Sequence, residues 1–280
     1  MSGILKICYN VLSENSQGAF GMKVGIFDSG MGGLSVLHRA LKTMPGLNYI
    51  YYADRDHVPY GEKSQEQIKA FVDEIIAFML QKNVDAIVIA CNTATSVATK
   101  EYRSKFPVPI IGMEPAVKKA VEEYRMVPGR VLVAATPVTI AGEKLQNLVE
   151  RVDEDEQVDL IALPGLVRFA EKGEFESEQV VDYLKKCLNT YPIQEYKAVV
   201  MGCTHFNYFK EDYKKIFSPS VQYVDGVEGT LRQLLRMLPN YKEEKEQGNV
   251  EYYYSGQAVT EEEQQEIQNY LRQLDKVENI

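Results

Sequence analysis

Two cysteines carry the chemistry that the rest of the chain has to position. Cys91 follows the apolar run 84–90 and precedes Asn92-Thr93, while Cys203 follows the run 196–202 and precedes Thr204-His205. A short continuous apolar run of β-branched character reads as a strand buried on both faces, as in a parallel sheet. Asn92, Thr93 and Thr204 are residue types that cap a following helix. Each thiol is therefore expected at the carboxyl end of a central strand, beside a helix N-terminus, where open α/β sheets hold ligands. In that setting a thiol pKa is expected to fall below its ordinary ~8.5, giving a mild base at neutral pH. Two such groups suit inversion of a stereocentre: a thiolate removes a proton from one face, and a thiol returns one to the other. A single base would hand the proton back to the face it left.

Other residues fit that setting. Asp28 and His205 are the candidate partners that hold or relay a proton for Cys91 and Cys203 respectively. Ser29, Asn92, Thr93 and Thr204, with backbone N–H groups at helix starts, offer carboxylate binding without an arginine. Tyr60-Gly61 lies on a loop at the same edge and is placed to close over a small ligand.

Plainer readings compete. A buried cysteine is usually a small hydrophobe, and Cys187, within a helical stretch, is read that way. Asp28 can simply cap a turn, and His205 can be a satisfied histidine at a helix start. The turn Gly30-Met31-Gly32-Gly33 followed by a helix imitates a dinucleotide fingerprint. Ser35 stands where the third glycine belongs, however, and the Asp28 carboxylate precedes the turn where a pyrophosphate would sit. No nicotinamide cofactor is expected. Cys91, Cys203, His205 and Asp28 are all possible metal ligands, but no further clustered ligand supports a metal site, and none is expected.

The elements that position these groups repeat. Residues 23–27 form a strand ending at Asp28, followed by a helix over 34–44 that Pro45-Gly46 stops. A strand at 48–53 ends at Asp54. Ser64 and Gln67 make a capping box for a helix to about residue 82. After the Cys91 strand come a helix to about residue 105 and a strand at 108–112. The series restarts at Arg130, with a strand over 130–135, a helix at 141–150 and a strand at 158–162. A helix at 178–188, the Cys203 strand and a strand at 221–224 complete it. The interval from Asp28 to Cys91 nearly equals that from Ala135 to Cys203, so the two cysteines become pseudo-symmetry mates. The fold class predicted is α/β, with two pseudo-symmetric open parallel-sheet domains and the active site at their interface. The expected division is 22–115 plus 228–280 for the first domain and 116–227 for the second. In this reading a helix at 229–238, a strand at 250–254 and a helix at 260–274 return to the first domain. Residues 1–21, polar and irregular, read as a mobile extension that contains Cys8.

Bulk properties narrow the partners. The chain has 280 residues, 45% of them hydrophobic and 25% charged, as in a globular protein. Its net charge of -9, with no basic cluster, argues against a nucleic-acid partner. No apolar run approaches the ~20 residues that would span a membrane. Four cysteines without paired spacing do not make a disulfide framework. A reducing cytoplasm is expected.

Four motifs together resemble the glutamate racemase family. They are Phe27-Asp28-Ser29-Gly30-Met31-Gly32-Gly33-Leu34-Ser35, Pro59-Tyr60-Gly61-Glu62-Lys63-Ser64, Ala90-Cys91-Asn92-Thr93-Ala94 and Gly202-Cys203-Thr204-His205, in the family's order and spacing. The resemblance covers about residues 22–238. It implies cofactor-independent interconversion of L- and D-glutamate, which supplies D-glutamate for peptidoglycan. It also implies Cys91 as the base acting on the D-enantiomer and Cys203 as the base acting on the L-enantiomer. Asp28, Ser29, Tyr60, Gly61, Asn92, Thr93, Thr204 and His205 are the implied substrate contacts, Glu171 matches a family glutamate near the site, and a homodimer is implied. One departure is Asn207 in Phe206-Asn207-Tyr208, where the family usually has proline, which is expected to alter chain entry beside Cys203. The alternatives are an aspartate racemase, in which an acidic residue generally replaces His205, and a non-catalytic amino-acid-binding regulator, which has no use for two opposed thiols.

Overall fold

The computed structural model describes residues 21–242 and 247–280. The expected extension with Cys8 lies, but for Gly21, outside the described residues. The first series runs β1 (Lys23–Asp28), α1 (Leu34–Thr43), β2 (Asn48–Ala53), α2 (Gln65–Gln81), β3 (Ala86–Ile89), α3 (Asn92–Val97), α4 (Lys100–Arg103) and β4 (Ile110–Gly112). After α5 (Val117–Glu123) the second series runs β5 (Arg130–Ala135), α6 (Pro137–Ala141), α7 (Glu143–Val152), β6 (Val158–Ala162), α8 (Pro164–Glu171), α9 (Glu178–Leu188), β7 (Tyr196–Met201), α10 (Lys210–Lys214) and β8 (Gln222–Asp225). The chain closes with α11 (Val227–Met237), β9 (Val250–Tyr254), β10 (Gln257–Ala258) and α12 (Glu261–Val277).

Two sheets result, with strand orders β10-β9-β2-β1-β3-β4 and β6-β5-β7-β8. The order 2-1-3-4 in the first is the order 6-5-7-8 in the second, so the duplication extends to topology. Pairing is parallel throughout except at the edge hairpin, where β10 runs antiparallel to β9. The central strands β1, β3, β5 and β7 are buried along nearly their whole length, as two-sided coverage by helices requires. Cys91 and Cys203 leave β3 and β7, each beside the strand at which its sheet reverses order. That is where open α/β sheets form a crevice.

Local chemistry explains the departures from expectation. The strand expected at 108–112 shrinks to three residues, because Pro107 and Pro109 have no N–H to give a ladder. The helix expected from 92 to 105 breaks at Ala98, and Thr99 caps a second piece through the Tyr102 N–H. After Cys203 the chain forms a 3-10 run over Thr204–Phe209 instead of an α-helix. The helix α8 goes unread in the sequence because Pro164-Gly165 looks like a turn; with proline in the first helical turn it is tolerated. The short helices α5 and α6 were likewise not anticipated.

The capping box at Ser64–Gln67 forms as expected, and a second, Thr260 with Glu263, starts α12. That last helix buries Ile267, Tyr270, Gln273, Leu274 and Val277. It packs both on α1 and on the 204–209 run. The Tyr270 hydroxyl donates to the Ala170 carbonyl at 2.9 Å, so the tail touches elements of both series. Ion pairs from Lys42 to Asp275 and Glu278 rim this contact, but exposed pairs stabilise little, and apolar burial carries the packing. Ile267→Ala is therefore expected to cost about 2–4 kcal/mol, read as a lowered urea midpoint with unchanged slope. An unchanged midpoint would refute this account of the tail.

Candidate active site

One narrow cavity collects most of the predicted residues. It is lined by Ser29, Tyr60, Gly61, Cys91, Thr93, Cys203 and His205, together with Pro59, Glu62, Thr136, Pro137, Pro164 and Val167. Its volume is about 10 Å³, room for one water and far less than an amino acid needs. Ligand entry therefore requires the walls of this cavity to move apart. Asp28, Thr204 and Glu171 stand behind the lining. Asn92 does not share the cavity: it lines a separate one of about 280 Å³, and neither polar atom of its side chain has a partner. A wider concavity, about 1010 Å³ between the 100–119 stretch and α11, holds neither cysteine.

The two thiols reach this cavity by the same route and meet different neighbours. Cys91 is itself the N-cap of α3, its sulfur accepting from the Ala94 N–H at 3.4 Å, and its thiol lies 3.7 Å from the Ser29 hydroxyl. The sequence assigned that capping role to Asn92 and Thr93. Nor does the expected drop in pKa occur. Burial raises the Cys91 thiol well above its ordinary value, and the charges of Asp28 and Cys203 add to the rise against the opposing Ala94 N–H. A six-residue helix is too short for its dipole to overcome desolvation. Cys203 likewise occupies the cap position in place of Thr204, without a side-chain cap bond. Its sulfur is 3.6 Å from His205 Nδ1.

His205 links the series. Its Nε2 is 2.6 Å from Glu171 Oε1, and the same oxygen accepts the Met31 N–H at 2.7 Å. The Gly32 N–H also lies 3.3 Å from Nε2. The shorter contact governs the proton: an imidazolium donating to Glu171 satisfies a full charge, whereas accepting from Gly32 would leave the carboxylate one donor short. Burial alone would lower the His205 pKa; hydrogen bonds to Cys203 and Glu171 reverse that, leaving it well above the usual value. The glycine turn exists for this contact. A Cβ on Gly30 would lie 2.1 Å from Glu171 Oε1, and one on Gly32 would lie 2.4 Å from His205 Nδ1.

Asp28 is wholly buried. It accepts from the Gly30 N–H at 3.1 Å and from the Thr204 hydroxyl at 3.3 Å. Burial raises its pKa, against the lowering effect of His205. The sequence reading missed Thr136 and Thr139. Thr136 lines the cavity, and Thr93 bonds both hydroxyls at 2.9 and 3.3 Å. Thr136, directly after β5, corresponds by topology to Ser29, directly after β1, and that parallel was the available signal. Asn207 is buried in the 3-10 run, 3.5 Å from the Ser35 hydroxyl.

No lysine or arginine lines this cavity; hydroxyls and backbone N–H groups are the available donors for an anion. Among the described residues, the grouping with metal-ligand proximity is His38, Asp275 and Glu278. It lies on α1 and at the C-terminal end of α12, and the Lys42 ammonium already bonds both carboxylates.

Comparisons with known proteins identify relatives in sequence and in fold. The pattern of the family described as Asp/Glu/Hydantoin racemase matches residues 29–234. The glutamate racemase of Lachnospira eligens is 46% identical over 92% of this chain and 100% of its own. Two solved structures share the fold. The Francisella tularensis glutamate racemase in complex with D-glutamate is 25% identical, with a TM-score of 0.74 over 90% of this chain and 94% of its own. The Escherichia coli glutamate racemase in complex with L-glutamate and activator UDP-MurNAc-ala is 28% identical, with a TM-score of 0.75 over 90% and 96%.

The raised His205 pKa makes stability depend on pH. A group whose folded pKa exceeds its unfolded 6.5 stabilises fully below that value, and the contribution fades as pH rises through the folded pKa. His205→Asn is thus expected to lose more stability against the parent at about pH 6 than at about pH 9.5, measured by urea unfolding. An equal loss at both would contradict the charged assignment.

Proposed function

The chain belongs to the Asp/Glu/Hydantoin racemase family and is an amino-acid racemase; from that premise we propose that it interconverts L- and D-glutamate by two-base proton transfer at Cα. The observation that carries this reading is that Cys91 and Cys203, released by equivalent strands of a duplicated topology, line one cavity. The relatives and solved structures named glutamate racemase support the choice of substrate.

In the L-to-D direction, the Cys203 thiolate takes the Cα proton, and the electron pair of the broken C–H bond passes to Cα and its carboxylate. Cys91 then gives its thiol proton to the opposite face. The enzyme is left with a Cys91 thiolate and a Cys203 thiol, the state that accepts D-glutamate. Burial favours the protonated form of Cys91, which suits a group that must donate to a carbanion. His205, held charged between Cys203 and Glu171, offsets the negative charge when Cys203 is the thiolate. Ser29, Thr93 and Thr136 are proposed as donors to the substrate carboxylates, with the Tyr60-Gly61 segment as a wall. Asp28 and Thr204 support them from behind. Asn92 joins them only if its side chain turns from the neighbouring cavity when the site opens. No cofactor enters this scheme.

The same reading places the enzyme in a reducing cytoplasm as a homodimer, supplying D-glutamate for peptidoglycan. It divides the chain into 22–115 plus 228–280 and 116–227. The three cysteines among the described residues are free thiols, as the mechanism needs.

Racemisation followed by circular dichroism with L-glutamate, D-glutamate and L-aspartate tests the substrate. Cys91→Ala and Cys203→Ala are each expected to lower kcat by about 10³-fold or more. In deuterated water the parent should label product before it labels remaining substrate. Full turnover by either variant, or early label in the substrate pool, would defeat the two-base mechanism.

A further inference from the structure

We propose that Asp54 is a positioning residue for the proposed glutamate site, its buried carboxylate holding the Tyr60 hydroxyl and thereby seating Pro59, Tyr60 and Gly61 as one wall of the cavity. The inference rests on the racemase reading for its function and on geometry for its substance. Asp54 follows β2 directly and is 2% exposed. Its carboxylate accepts the Tyr60 hydroxyl at 2.5 Å, lies 2.9 and 3.0 Å from His57 Nδ1, and accepts the Ser255 hydroxyl at 3.3 Å. Its own N–H donates to the Asp28 carbonyl at 3.0 Å. Two further stretches of chain, the 57–60 loop and the final hairpin, thus supply donors to one buried carboxylate, which without donors would be strongly unfavourable. His57 is fixed in turn by stacking on Phe71 of α2, ring centroids 3.8 Å apart.

The consequence falls on the cavity. Tyr60 is wholly buried. The next residue, Gly61, approaches the second series so closely that a Cβ there would lie 2.9 Å from Thr136 Cβ. Releasing the Tyr60 hydroxyl frees this segment to move off Thr136 and loosens the wall beside Cys91. Asp54 does not line the cavity, so it acts through Tyr60 and touches no reacting atom.

Tyr60→Phe, Asp54→Asn and the double variant form the test, because a shared pathway predicts that their effects do not add. Each single change is expected to raise KM for L-glutamate about tenfold while kcat falls less than about threefold, with the double variant no worse than the larger single effect. A second readout is independent of turnover: iodoacetamide should alkylate Cys91 about tenfold faster in each variant, followed by peptide mass mapping, with Cys187 as internal reference. Additive effects, or unchanged Cys91 alkylation, would overturn the role of Asp54. Equal acceleration at Cys187 would also overturn it, as general loosening. An inactive parent with protected Cys91 would instead sink the glutamate reading alone.

Discussion

The molecule depends on a buried charged contact across its seam. Glu171, at the end of α8, accepts the Met31 N–H of the glycine turn and bonds the His205 ring. One carboxylate thereby joins α8, the turn after β1 and the run after β7. Breaking one partner of a buried pair leaves an uncompensated charge, so each of these groups constrains the others. Gly30 and Gly32 are the steric half of the same constraint, since a methyl group at either would push Glu171 or His205 out of place.

That contact explains an asymmetry within a symmetric architecture. Sheet order repeats, and both cysteines leave equivalent strands. Yet Cys203 stands beside an imidazole held charged, while Cys91 stands beside a hydroxyl and a backbone N–H. In the proposed two-base mechanism, the two thiols therefore exchange roles in unlike surroundings. Burial raises Cys91 toward its protonated form. The histidine that faces Cys203 has no topological counterpart next to Cys91, where Thr93 occupies the matching position.

The C-terminal segment is the other departure from symmetry. β9 extends the first sheet beside β2, while α12 lies over both α1 and the 204–209 run. The Ser255 hydroxyl, at the tip of the final hairpin, reaches Asp54. The tail thus braces the seam from behind, on the side where its apolar burial does not obstruct the cavity.

Much of this was legible in the sequence because it depends on neighbours along the chain. Apolar runs announced β1, β2, β3, β5 and β7, the Ser64–Gln67 box announced α2, and the doubled spacing around Cys91 and Cys203 announced the repeat. Residues separated by long stretches of chain were a different matter. Glu171 was visible only as a family match, and nothing local showed that it would meet Met31 and His205. Thr136 stood where the strand repeat places a partner of Ser29, but nothing local showed that Thr136 and Thr139 would meet Thr93. The direction of the Cys91 pKa was misread, because spacing reports a helix N-terminus but not the desolvation around it. Local sequence determined which groups could react and which strands would carry them. The tertiary structure alone decided their charge and orientation, because both depend on burial by residues far away in the chain.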